Sequence, residues 1–196
     1  MTRGERLLRR AARRRRPVAF WHLGIDTLVV AVLAAGDDEP LLLTCAGVRA
    51  SPIAWSAAFA PGLLEVSRSL SVGAPLHVAA LDKSHLATDD ADAIDVATET
   101  EHLRVARAAI DGTVATFRAA KLRLVALTTE PAARASLARF LGEARALAAN
   151  ERSLAGDPLA AVSVAPDCET QAAALGELLS VPVGTALSAF GMIEDA

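Results

Sequence analysis

Between residues 17 and 46 three apolar runs follow one another with only turns between them: PVAFWHLG at 17–24, TLVVAVLAA at 27–35 and LLLTCA at 41–46. The connections, GIDT and GDDEP, are too short for a crossover, so the runs predict an antiparallel meander. Each run is apolar at consecutive positions rather than alternate ones. Strands of that kind are covered on both faces, which requires helices above and below the sheet.

The rest of the chain supplies those helices. Pro52 and Pro61 interrupt the stretch after the meander, which reads as a loop and then a helix near 61–71. A fourth strand follows at 75–81, and the acid-rich stretch 82–95 reads as a loop. Thr98 with Glu101 fits a capping box, and Leu103, Ile110, Val114 and Phe117 fall on one helical face behind it. Then come a strand at 122–127, a helix opened by Thr129-Glu130-Pro131 with an apolar stripe to Leu147, and a polar linker at 150–158. A strand at 160–165, a helix capped by Asp167 and an extended piece at 181–183 complete the order. Alternation after residue 72 favours parallel pairing there. The expected fold is α/β: a mixed sheet of ribonuclease-H-like or actin-like order, with a three-stranded antiparallel meander and then parallel strands alternating with helices. We expect a core at 17–149 and a C-terminal β-α-β extension at 150–196 packed on it.

Charge is segregated along the chain. Residues 1–16 hold eight arginines and one acid, Glu5, a balance of +7; the total of −3 leaves −10 for residues 17–196. Like-charge blocks favour solvated, disordered chain and anionic partners. Residues 1–16 are therefore expected to be a basic, disordered arm, with Arg9, Arg10, Arg13, Arg14, Arg15 and Arg16 meeting an anionic surface. The arm and the apolar run behind it resemble a signal or anchor segment, but Asp26 inside the run opposes membrane insertion at roughly 2.5–3.5 kcal/mol. Cys45 and Cys168 lie far apart without a C-x-x-C pair and read as buried free thiols, which fits a reducing cytoplasm.

Residues 22–33, HLGIDTLVVAVL, resemble the D-x-G-x-x-x-x-K phosphate hairpin of actin-like ATPases. The resemblance is to the pilus-assembly protein PilM and the cytoplasmic part of the type II secretion protein GspL. It extends over 98–141 and 159–190, although Ala165-Pro166-Asp167 stands where the family carries a glycine pair, and no second phosphate hairpin is found. In the family the acid aids metal or water and the lysine meets phosphate. By position these roles fall on His22 and Val29, with Gly24 keeping the turn. An aliphatic side chain cannot meet a phosphate oxygen, and imidazole is a poor magnesium ligand. The resemblance thus implies a degenerate nucleotide site, with no catalytic residue, metal or cofactor expected.

It implies a non-catalytic cytoplasmic scaffold of a type IV pilus or type II secretion machine, peripheral at the inner membrane. Such a scaffold would bind the cytoplasmic tail of an inner-membrane partner. Ile53, Trp55 and Phe59 form a candidate apolar partner patch. Two other readings stay open. A ribonuclease-H-like nuclease or ATPase with a divergent site would place carboxylates from Glu65 and Asp82 beside His22. A nucleic-acid-binding protein would work through the arginine arm. No zinc spacing, P-loop or G-x-S-x-G elbow occurs.

Overall fold

The computed structural model describes residues 2–24, 27–49, 60–82, 93–97, 102–141 and 157–192. Strands β1 (Val18–Leu23), β2 (Thr27–Ala34) and β3 (Leu41–Arg49) form the meander, with Val18 opposite Leu33 and Ala31 opposite Cys45. β4 (Leu76–Leu81) pairs parallel to β1, and β7 (Leu124–Thr129) parallel to β4. The two-residue β8 (Ser163–Val164) pairs parallel with β3. The sheet order is β7-β4-β1-β2-β3-β8, the mixed α/β arrangement expected.

Every residue of β1 and β4 is buried, because helices cover both faces. One face carries Ala19, Trp21, Leu23 and Val30 against α2 (Ala60–Ser69) and α3 (Arg107–Ala119). The other carries Val18, Phe20, Val29 and Ala31. It packs on α1 (Arg3–Arg13), α4 (Glu130–Phe140), α5 (Glu169–Leu175) and α6 (Ser180–Phe190). A Cβ on Gly184 of α6 would lie 1.9 Å from the Ala133 carbonyl oxygen, so these two helices touch backbone to backbone. The stretch Pro166–Phe190 is long and apolar enough to cross a membrane by composition, with half of its most apolar window buried within the fold.

Four expectations are corrected. Residues 1–16 are not a disordered arm throughout. Thr2 and Glu5 form a capping box, and α1 seats Leu8 and Ala11 in the core at 5 % and 4 % exposure. Apolar residues at 7, 8, 11 and 12 make one helical face, and burying it outweighs repulsion among arginines directed to solvent. The helix expected from Thr98 begins only at Arg107. Ala93–Ala97 and His102–Ala106 are instead β5 and β6, a separate antiparallel pair, while Thr98 and Glu101 lie outside the described residues. Val181-Pro182-Val183 is not extended but forms the buried first turn of α6, where proline's missing N–H has no helical acceptor to lose. The strand expected at 160–165 shrinks to two residues, because a short 3-10 helix occupies Pro158–Ala161.

Candidate metal centre at the strand ends

β1, β4 and β7 run parallel, and their register places Leu23 beside Leu81 and Leu81 beside Thr129. Their carboxyl ends therefore finish level, the position where open α/β sheets bind ligands. His22 stands one residue before the end of β1. Asp82 follows β4 directly, and its N–H donates to the Leu23 carbonyl oxygen at 3.2 Å. Glu130 is the first residue of α4, immediately after β7. One ligand atom from each of these three side chains lies within 4.8 Å of the others.

His22 and Glu130 are held in place by burial and by hydrogen bonding. His22 is 6 % exposed and shares a face with Val29, its cross-strand partner. Glu130 Oε1 accepts from Arg134 Nε at 2.8 Å. Arg134 also donates to Ser180 Oγ at 3.2 Å, and Ser180 Oγ donates to the Glu177 carbonyl oxygen at 2.6 Å. A chain of polar contacts thus ties the carboxylate to α6. One imidazole nitrogen and two carboxylates suit manganese, iron or zinc better than magnesium, which prefers oxygen ligands throughout. Sequence reasoning placed Asp82 beside His22 only under the nuclease reading and missed Glu130; its signal was a carboxylate opening a helix directly after a parallel strand. Glu65 does not join the site, because α2 covers the opposite face of the sheet and leaves it exposed.

The hairpin beside this cluster contributes Gly24 and Val29, while its turn at residues 25 and 26 lies outside the described residues. Gly24 N–H donates to the Thr27 carbonyl oxygen at 2.9 Å, and a Cβ at Gly24 would lie 2.9 Å from that same oxygen and 2.5 Å from Thr27 Oγ1, so a side chain at 24 would crowd Thr27. Val29 is 1 % exposed. A Cβ on its neighbour Gly47 would meet Val29 Cγ2 at 3.5 Å and Leu175 Cδ2 of α5 at 2.8 Å, so aliphatic carbon fills the space around residue 29. His22, Gly24 and Val29 thus share one hairpin, in which residue 29 offers only aliphatic carbon.

The arginines divide by place. Arg9 and Arg13 line a cleft with Arg139, Arg15 pairs with Asp37 on the surface, and Arg10, Arg14 and Arg16 are exposed. Ile53, Trp55 and Phe59 lie outside the described residues, as does Asp26. On the other face Trp21 Nε1 donates to His77 Nδ1 at 3.0 Å, beside Phe117. Burial holds His77 down to about 4, against a backbone hydrogen bond to Ala74 that raises it. Cys45 and Cys168 face one another with sulfurs 3.5 Å apart. Burial first, and then the neighbouring sulfur, push the Cys45 thiol up to about 12.

No protein-family model matches the chain, and no curated protein matches it. Among solved structures it is similar to one titled PilM-PilN type IV pilus biogenesis complex, with TM-score 0.64 and 13% identity over 90% of this chain and 99% of that one. It is also similar to Thermus thermophilus RuvC, with TM-score 0.41 and 15% identity over 90% of this chain and 97% of that one. A further similarity is to the ethanolamine utilization protein EutJ from Carboxydothermus hydrogenoformans, with TM-score 0.38 and 20% identity; this chain covers half of EutJ. The fold is the actin-like, ribonuclease-H-like one.

Proposed function

We propose that this chain is a non-catalytic scaffold of a bacterial envelope machine of the type IV pilus or type II secretion kind. It would work on the cytoplasmic side of the inner membrane and hold the cytoplasmic tail of a membrane-embedded partner. The observation that carries this reading is Val29, sealed under aliphatic carbon where the actin-like phosphate hairpin needs a cation. Loss of the phosphate grip removes nucleotide turnover and leaves the fold as a rigid platform. The full-length similarity to the PilM of a pilus biogenesis complex supports the kind of machine. The test is titration with a fluorescent ATP analogue in the presence of magnesium. No saturable binding is expected up to about 1 mM, the weak end of specific affinity, and saturation below that would refute the reading.

A second reading has its own observation, the convergence of His22, Asp82 and Glu130. Those residues would hold one divalent ion, and His22 shifts the preference away from magnesium. A bound ion would supply charge stabilisation to a phosphoryl group. The protein's part would be to orient the ion through the Arg134–Glu130 contact and to exclude water with the buried face of β1. Calorimetry with manganese and zinc, followed by cleavage assays on single-stranded and branched DNA, separates the readings. Metal-dependent cleavage that Asp82→Asn abolishes would establish the nuclease. Metal binding without cleavage would leave the ion a structural clamp in a scaffold.

A further inference from the structure

We propose that Cys45 and Cys168 are a modification site, a dithiol that a peroxide converts to an internal disulfide fastening the segment around α5 onto β3. Their sulfurs lie 3.5 Å apart, although 123 positions separate them along the chain. An S–H···S contact already aims one thiol at the other, and bond formation asks that the sulfurs close to about 2 Å. Both side chains are buried, at 1 % and 2 % exposure.

The two cysteines differ in how firmly they are held. Cys45 stands in the middle of β3, opposite Ala31 of β2. Cys168 ends the 3-10 turn Pro166–Cys168 that leads into α5. Between Pro166 and Leu175 only Cys168 and Ala172 are buried. The chain leading into the turn is tied down by Ser163 N–H donating to the Pro40 carbonyl oxygen at 3.0 Å and Ala165 N–H donating to the Leu42 carbonyl oxygen at 2.9 Å. A segment with so little buried apolar surface opens more readily than the sheet beneath it. While it is down, burial keeps the Cys45 thiol up at about 12, protonated and inert. When it lifts, Cys168 meets solvent and oxidant first.

The chemistry then balances in two steps. The Cys168 sulfur attacks one peroxide oxygen, the O–O bond breaks, and the other oxygen leaves as water with the thiol proton. That leaves a sulfenic acid on Cys168. The Cys45 sulfur attacks the sulfenic sulfur, the S–O bond breaks, and the hydroxyl leaves as a second water with the Cys45 proton. Two thiols lose two electrons and the peroxide gains them. The bond would hold α5 down over residue 29, since a Cβ on Gly47 would meet both Leu175 Cδ2 of α5 and Val29 Cγ2. A small thiol reductant would release it. The clamp does not depend on which of the two proposed functions holds.

The test treats the reduced full chain with hydrogen peroxide at about tenfold molar excess. The protein is then denatured, and free thiols are alkylated before the intact mass is read. The expected product is about 2 Da lighter than the reduced chain, carries no alkyl group and reverts with dithiothreitol. Its Tm should rise by about 5–15 °C. Amide exchange across α5 should slow by about tenfold or more while β1 and β4 keep their rates. A gain of about 32 Da on one cysteine with the other still free would overturn the pair. So would disulfides found only between two chains, or an unchanged Tm in the closed product. Single variants test the order of events. Cys168 in Cys45→Ala should form a dimedone-trapped sulfenic acid about tenfold faster than Cys45 does in Cys168→Ala. Equal rates would overturn the lifting segment as the route of entry. The mass and exchange readings use the parent protein, so they stand even where a variant folds poorly.

Discussion

His77 lies on β4 at 5 % exposure, with its Nδ1 lone pair already engaged by the Trp21 N–H. Protonation would break that bond inside an apolar layer, and burial accordingly holds the native imidazole near 4. The unfolded chain titrates near 6.5, so between about 6.5 and 4 it binds a proton that the native protein refuses. Stability is therefore complete above that window, falls as the pH drops through it, and levels off below about 4. The difference amounts to roughly 3 kcal/mol. His77→Gln keeps an acceptor for Trp21 without a titrating group. Its urea midpoint should lose most of the pH dependence between 4 and 6.5, and an unchanged slope would place the effect elsewhere. Val29 offers a second test at this scale. Val29→Lys restores the residue type of the phosphate hairpin, but an ammonium buried there should cost about 3–5 kcal/mol and yield no ATP binding. A stable Val29→Lys protein that binds ATP would reverse the argument from Val29. The losses at 22 and 29 were legible in the sequence, since each is a substitution within one local motif. Glu130 was not, because its approach to His22 depends on the order of strands separated by about a hundred residues of chain.

Elements were legible where their signal was local. The meander announced itself through turn length and uninterrupted apolar runs, and β4, β7 and the start of α4 fell within a residue or two of expectation. The misses have physical causes. Thr2 and Glu5 carry the same capping signature that was read at Thr98 and Glu101, but the arginine run around them masked it. In α1 the tertiary gain from Leu8 decides the matter, and no charge count reports that gain. Val181-Pro182-Val183 looks like a strand because two β-branched residues flank a proline. It is helical because α6 is buried almost all round, and burial overrides propensity. The junction of α4 and α6 depends on Gly184. Gly184→Ala gains helix propensity of up to about 1 kcal/mol but drives a methyl into a carbonyl oxygen. Overpacking should win, giving a net loss of about 1–3 kcal/mol in urea unfolding. A stabilised Gly184→Ala protein would mean that α4 and α6 slide apart freely.

At the scale of the whole molecule, the basic end of the chain is packed onto an acidic remainder. The first sixteen residues carry +7 and the rest −10, yet α1 is bonded into the core through Leu8 and sits so close to β7 that a Cβ on Gly4 would lie 2.1 Å from the Val125 carbonyl oxygen. The arginines are thus presented on a fixed helix and on the residues just past it. Deleting residues 1–16 removes the charge and uncovers the apolar face of α4, α6 and β7 at once, so loss of membrane recovery in that deletion proves nothing about charge. The cleaner experiment reverses Arg14, Arg15 and Arg16, which follow α1 and are exposed; only Arg15 has an ion pair, with Asp37, among the described residues. That pair is solvent-exposed and contributes little to stability. The triple Arg→Glu protein should melt within a few degrees of the parent, whereas the deletion should melt well below it or aggregate. If these arginines meet an anionic leaflet at about 1 kcal/mol each, cosedimentation with phosphatidylglycerol vesicles should fall by at least a hundredfold in affinity. The parent's binding should also weaken steeply between low and physiological salt. Unchanged cosedimentation of the triple variant would show that the basic end does not face a membrane and would leave Arg9 and Arg13, in their cleft, as the arginines to examine.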